Sequence, residues 1–397
     1  MVTVSGTNGS LRNAAIPVMR SLLPSADRIL PYLRRLDETR VYSNHGPLSL
    51  ELERRLACVL GLPAGGLICA SSGTAALVGA ILATAGHATA DRPLAILPAL
   101  TFVATAAAAE QCGYEPYLAD IDPASWMLDP SGLIGHPERK RIGVVIPVAP
   151  FGRPIPQEPW LRFQESTGIP VVIDGAASFA ALADRPAEFL GRLPVAISFH
   201  ATKPFATGEG GAVATADVVL AERSAQALNF GMSGARDCRM PSTNGKMSEY
   251  HAAVGLAELD GWPEKLAAFL AVAGVYRTQM LEAKLADRYH GAPDIAPSYA
   301  LFECHSVAEA DQVRRSLRRN AIDFRLWYGR GMHEQTNYTG AARDGLAVTR
   351  DLAPRLFGIP MAADLSRRDV QAVVSALVGR PSPQPDRTTN GAFGRTE

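Results

Sequence analysis

The sequence predicts an α/β fold, a largely parallel sheet covered by helices, followed by a smaller α+β domain. Three observations predict it. Short apolar runs of strand length alternate with helical runs up to about residue 260, the pattern of consecutive βαβ units. After Gly261-Trp262-Pro263 the alternation gives way to one long helical stretch and a mixed remainder. The residues able to do chemistry fall just past the apolar runs, where open α/β sheets place their sites.

In chain order, 49–60 (SLELERRLACVL) sets Leu52, Leu56 and Leu60 on one helical face. A short apolar strand at 67–70 runs into Ser71-Ser72-Gly73-Thr74, and 75–84 reads as a helix. Residues 94–97 form a strand that stops at Pro98. An Ala-rich helix follows at 102–111, with Thr101 as its expected N-cap. Further strands are expected at 116–119, 143–148, 170–173, 195–199 and 211–215, then a helix at 218–228. Beyond residue 261 the expectation is a long helix at 264–287, a strand at 299–303 and a helix at 307–319. A strand near 323–327 and a last helix from about Ser366 complete it. The ends read differently. Residues 1–10 are small and polar, and 381–397 (PSPQPDRTTNGAFGRTE) are rich in Pro, Thr, Gly and charge. Both are expected to be disordered. That leaves a large domain at 11–260 and a small one at 261–380.

Composition narrows the function. Lys plus Arg total 39 and Asp plus Glu total 39, so the formal net charge is zero. Nucleic acid and anionic membranes favour a basic excess, which argues against both as partners. Five scattered cysteines (Cys58, Cys69, Cys112, Cys238 and Cys304) contain no CxxC pair. Buried thiols in a reducing cytosol fit this better than disulfides or zinc. No apolar run reaches membrane-spanning length, and the first residues lack the basic-then-apolar order of a secretory leader. A cytoplasmic protein without a metal site is expected.

Three segments stand out chemically. In Ser198-Phe199-His200-Ala201-Thr202-Lys203, ahead of Thr207-Gly208-Glu209-Gly210-Gly211, a strand delivers a lysine beside a Gly-rich turn. A desolvated lysine amine forms Schiff bases, although most lysines at strand ends are simply solvated. In Val171-Val172-Ile173-Asp174, an apolar strand ends on a carboxylate. Buried there, it needs a cation; otherwise it caps the following turn. Ser71-Ser72-Gly73-Thr74 opens a helix, where free N–H groups and the dipole attract phosphate; a plain N-cap looks the same. Glu209 fits a structural turn as well as a role in orienting the lysine loop, and His200 reads as a packed, hydrogen-bonded histidine.

Taken together and in this order, the three segments resemble the DegT/DnrJ/EryC1/StrS family of PLP-dependent (pyridoxal 5'-phosphate) sugar aminotransferases. The likeness spans about residues 16–377. It is also carried by Tyr42-Ser43-Asn44-His45-Gly46-Pro47-Leu48, Pro98-Ala99-Leu100-Thr101-Phe102-Val103-Ala104-Thr105, Asp120-Ile121-Asp122-Pro123, Pro147-Val148-Ala149-Pro150-Phe151-Gly152 and Asn244-Gly245-Lys246-Met247-Ser248-Glu249. The resemblance implies a fold-type-I transferase, with a mainly parallel seven-stranded sheet sandwiched by helices. It implies that Lys203 binds PLP as a Schiff base, that Asp174 pairs with the pyridine nitrogen and that Phe102 stacks on the ring. Gly73, Thr74 and Ser198 then hold the phosphate. Asn244 and Lys246 match a segment that reaches the phosphate from the partner subunit, which implies a homodimer with shared active sites. Arg325, Tyr328 and His333, in RLWYGRGMH, match a segment lining the sugar-nucleotide pocket, although core packing explains Trp327 equally well. The implied reaction is ping-pong transfer of an amino group, from glutamate as donor, to a nucleotide-linked keto-sugar.

Two positions depart from the family pattern. Ala177 stands where many relatives carry Gln or His, and Lys246 where they commonly carry Arg. A lysine supplies charge without the bidentate fork. Other readings are a transaminase for another ketone, such as a keto-cyclitol, and a non-catalytic binding protein on the same scaffold. The joint presence of Lys203 and Asp174 argues against the latter.

Overall fold

The computed structural model describes residues 16–234 and 236–379. The expected disordered ends, 1–10 and 381–397, lie outside the described residues. The strands are β1 (Leu67–Ala70), β2 (Leu94–Pro98), β3 (Glu115–Ala119), β4 (Ile142–Val145), β5 (Ile173–Asp174), β6 (Val195–Ser198), β7 (Gly211–Ala214), β8 (Tyr289–His290), β9 (Ala300–Glu303) and β10 (Leu356–Ile359).

The first seven strands form two ladders, β3-β2-β4 and β1-β7-β6-β5. Pairing is parallel for β2 with β3 and β4, and for β5 with β6. It is antiparallel on both sides of β7. One regular seven-stranded ladder does not form. Among the described residues, only the parallel bridges Val145–Val171 and Val148–Asp174 connect the halves between β4 and β5. Pro147 and Pro170 stand at this seam and serve as acceptors for Asp174 N–H and Val145 N–H. Neither has an N–H to return, so the ladder is interrupted there.

The strands β1, β2, β4, β6 and β7 are buried along their whole length, as expected of strands covered on both faces. Two apolar clusters cover the two sides. One includes Leu52, Leu56, Phe163, Phe199, Phe205 and Trp262; the other includes Leu77, Ile81, Leu97, Ala108 and Leu228. The helix Gly73–Thr84 is buried over most of its length and packs across β6 and β7.

After the long helix Trp262–Glu282, the three-stranded sheet β10-β9-β8 and the helices Val307–Arg319 and Arg367–Leu377 enclose a third cluster around Tyr276, Phe302, Leu317 and Phe357. The N-terminal stretch joins this end of the molecule. Ile16 bridges Ile322, Met19 bridges Met361, and Met361 N–H donates to Val18 O at 3.0 Å. The strand expected near 323–327 reduces to one bridge, Arg325–Gly358. There the Trp327 indole lies over Gly358 and leaves no room for a Cβ, and the chain leaves the ladder.

Candidate active site

Asp174 closes β5 and is only 5% exposed. Its Oδ2 accepts from Thr105 Oγ1 at 2.7 Å and its Oδ1 from Ala176 N–H at 3.1 Å. Burial pushes this carboxyl above its ordinary range, while those two donors and the charge of Lys203 pull it back. A carboxylate held this way favours a cationic partner. Thr101 does not cap the next helix as expected. That helix is Ala104–Gln111 with Val103 at its N-cap. The Thr101 hydroxyl instead meets that of Thr105 at 2.8 Å, extending the chain of hydrogen bonds that ends on Asp174.

Lys203 follows β6, the parallel neighbour of β5. A backbone turn, Lys203 N–H to His200 O at 2.8 Å, sets it off the strand. Its Nζ donates to Tyr299 Oη at 3.2 Å, and its charge reaches Asp174. Two adjacent strands therefore bring the amine and the carboxylate to one place. Tyr299 belongs to an aromatic wall with Phe151 and Tyr328, whose rings stack at 4.4 Å. Tyr328 is half-buried, its Oη accepts Phe151 N–H at 3.0 Å, and desolvation of that hydroxyl pushes the phenol far up, with Tyr299 and Asp174 adding to the shift. Ala177 packs in this same apolar cluster.

Phe102 lies between β2 and the helix Ala104–Gln111 and is 57% exposed. Its carbonyl accepts Thr105 N–H at 3.3 Å, which ties the exposed ring to the residue that holds Asp174. On the other side Gly73 opens its helix behind Ser72, whose Oγ accepts Ala75 N–H. A Cβ on Gly73 would stand 2.6 Å from Ser198 Cβ, so only glycine lets the turn close on Ser198. Thr74 sits in that first turn, where N–H groups lack intrahelical partners. Gly73, Thr74 and Ser198 thus form one cradle. The segment with Asn244 and Lys246 lies alongside. Lys246 bridges Ala70, and Ser71 N–H donates to Gly245 O at 2.7 Å. Lys246 Nζ donates to Asn244 Oδ1 at 2.7 Å and lies 4.3 Å from the Phe230 ring centroid.

The three substrate candidates sit in different surroundings. Tyr328 belongs to the wall behind Lys203. Arg325 pairs its backbone with Gly358, and its guanidinium lies 4.9 Å from the Trp327 ring centroid. His333 is buried beneath the loop that Met332 N–H fastens to Ala99 O at 2.8 Å, and burial pushes its imidazole down. His200 is hydrogen-bonded to Thr202 at 2.8 Å, as expected, but its ring is half-exposed and faces Glu209 at 3.7 Å. Thr105 and Tyr299, which hold the two central groups, were not singled out from sequence. For Thr105 the signal was its place one helical turn after Phe102; for Tyr299 there was none.

The residues fit PLP. A cradle closed by a glycine suits its phosphate, an exposed aromatic face suits its planar ring, and a buried carboxylate suits its protonated nitrogen. Among the described residues no group of His, Cys, Asp or Glu is arranged to hold a metal.

Comparison with known proteins agrees. The family model for DegT/DnrJ/EryC1/StrS aminotransferases matches residues 25–378. Protein Rv3402c of Mycobacterium tuberculosis is 33% identical over 371 residues, 91% of this chain and 89% of that protein. The dTDP-4-amino-4,6-dideoxy-D-glucose transaminase of Shigella dysenteriae is 26% identical over 368 residues, 89% of this chain and 96% of the enzyme. The crystal structure of DesI in the presence of its TDP-sugar product superposes with a TM-score of 0.78 at 30% identity, covering 92% of this chain and 93% of DesI. The chain therefore belongs to the DegT/DnrJ/EryC1/StrS aminotransferase family and is a PLP-dependent aminotransferase.

Proposed function

We propose that the protein transfers an amino group from glutamate to a nucleotide-linked keto-sugar, with Lys203 and Asp174 as its catalytic residues. One observation carries this: the ends of adjacent parallel strands place the Lys203 amine within electrostatic reach of a buried Asp174. The named activities of the Shigella enzyme and of DesI support the substrate class.

When bound, the cofactor supplies an electron sink for the carbon that carries the amino group. The residues do the rest. Asp174 keeps a proton on the pyridine nitrogen, and Thr105 aims the carboxylate. Phe102 covers one face of the ring. Gly73, Thr74 and Ser198 hold the phosphate. Lys203 would hold the cofactor through its Nζ, and that amine, once the donor's amino group has displaced it, would take the proton from the donor's α-carbon. In the second half of a ping-pong cycle it delivers a proton to the sugar carbon that receives the amine. Tyr299 holds that Nζ in place between the two tasks.

The reading extends to assembly. Asn244 and Lys246 serve the partner's phosphate in a homodimer, and the exposed Tyr42, Phe230 and Tyr250 beside this segment support a contact there. The division into lobes at 260/261 is supported by the separate apolar cluster around Phe302 and Phe357. A cytoplasmic location is supported by five free thiols. Among the described residues no helix is long and apolar enough to cross a membrane.

The test is a panel of keto-sugar nucleotides with glutamate, followed by 2-oxoglutarate release. Turnover of at least one is expected. Turnover confined to a ketone without a nucleotide, such as a keto-cyclitol, overturns the substrate class. Lys203→Ala should lose the visible absorbance of lysine-bound cofactor together with turnover. Asp174→Ala should bind PLP more weakly and lose on the order of 100-fold or more in kcat. Near-normal turnover by either variant overturns its role.

A further inference from the structure

The segment that follows Lys203 is pinned from below by a charged pair to which the mechanism above gives no role. Glu258, on the helix Glu249–Asp260, and Lys265, on the helix Trp262–Glu282, have side chains only 4% and 8% exposed. One oxygen, Glu258 Oε1, accepts both the Lys265 ammonium at 2.5 Å and Ala206 N–H at 3.2 Å. Lys265 Nζ also donates to Leu22 O at 2.6 Å. The pair therefore fastens the loop 203–206 and the N-terminal stretch to the two helices at the junction of the lobes.

The surrounding contacts give the fastening a direction. Phe205 is fully buried among Phe179, Phe199 and Trp262. Thr207 N–H donates to Phe199 O at 2.8 Å. From Phe205 onward the loop is fixed, and Lys203 projects from its free side toward Tyr299. Lys265 and Lys203 share the lining of one small cavity with Arg20, Leu22, Thr202 and Ser298. A buried ion pair adds little net stability over an apolar pair of like size, so stability alone is a weak reason for charge here. An acceptor for a loop N–H that no strand satisfies is a better one.

We propose that Glu258 and Lys265 are positioning residues that hold the Lys203 loop and the N-terminal stretch in the geometry needed for proton transfer. The proposal rests on Lys203 being the cofactor-binding lysine. Displacing a reacting group by about an ångström costs up to about 100-fold in rate, so an anchor three residues away matters.

The experiment compares Glu258→Leu combined with Lys265→Met against Glu258→Gln. The double variant removes both charges at similar volume, but leaves Ala206 N–H without an acceptor. Glu258→Gln keeps an acceptor oxygen. Hydrogen exchange of the cofactor-free protein should show faster exchange across 201–206 in the double variant. Its kcat should fall by about 10-fold to 100-fold with KM for both substrates little changed. Glu258→Gln should hold both exchange and kcat closer to wild type, even with a lowered Tm. Wild-type exchange and kcat in the double variant would overturn the proposal, as would a kcat loss in Glu258→Gln without a change in loop exchange. If the double variant does not fold, the exchange and kcat of Glu258→Gln at a temperature below its Tm decide alone. The exchange readout needs no cofactor. A failure of the Lys203 assignment shows separately, as Lys203→Ala that keeps its visible absorbance and turnover.

Discussion

Asp174 would be a poor residue to bury were it alone. Two donors and a nearby ammonium only partly offset its desolvation, and a cationic ring is the remaining counterpart. Thr105 is the adjustable part of that balance. Thr105→Val removes a donor that lowers the Asp174 pKa, so the carboxylate protonates more readily. The acid limb of the kcat/KM profile should move to higher pH, with a loss of at least about tenfold, the worth of one hydrogen bond to a charged group. A profile superposable on wild type would mean that Thr105 is only packing. From sequence, Asp174 and Lys203 were legible because an apolar strand that ends on a charged side chain advertises its end. Tyr299 was not, because it meets Lys203 from 96 positions away and a lone tyrosine before a strand carries no pattern. Thr101 was misread because a threonine before a helix has two outlets. Here the neighbouring hydroxyl won over the backbone.

Two elements depend on single residues. The helix Gly73–Thr84 reaches Ser198 only because position 73 has no Cβ. Gly73→Ala must push apart two backbones that have no flexible side chain to yield. The variant should fold yet need about tenfold or more PLP for half-saturation in an absorbance titration, consistent with a misplaced N–H cradle. Unchanged affinity would remove this turn from the phosphate site. The helix Pro47–Val59 is fastened to β1 by Glu53, whose Oε1 accepts Cys69 N–H at 2.8 Å. Burial pushes Glu53 up to about 7, with Glu249 adding to the rise. A raised acid favours the folded state where it is protonated, so its contribution is full below its unfolded value and is lost as pH rises through about 7. Glu53→Gln keeps the acceptor and removes the titration. Relative to that variant, wild type should lose up to about 3 kcal/mol between pH 4.5 and 8 in denaturant unfolding. A flat difference would refute the assignment. Most strands and helices were readable from apolar period and turn residues, but β10 was not. Gly358 breaks its short run, and only Trp327 lying against it explains the glycine.

At the scale of the whole molecule, the resemblance placed the phosphate segment on two chains, and mixing variants tests that. Lys203→Ala and Lys246→Ala subunits, each with little activity alone, should recover roughly a quarter of wild-type turnover when mixed in equal amounts. Half the dimers are then mixed and carry one intact site. Absence of recovery, or a gel-filtration mass near 42.2 kDa rather than twice that, would leave each chain with its own complete site. Charge balance and alternating patterns showed the lobes in the sequence. They could not show that the N-terminal stretch pairs with the far lobe, because a bridge such as Ile16–Ile322 has no local signature.

That last pairing also bears on how the protein is made. Val18 N–H donates to Asp323 across 305 positions, so on the ribosome this stretch waits for its partner while nearly the whole chain is synthesised, roughly 15–60 s at ordinary elongation rates. Translation that stops short of Asp323 releases the stretch with its backbone groups unmatched. Truncated products should then be cut by proteases within residues 16–22 more readily than the full chain is.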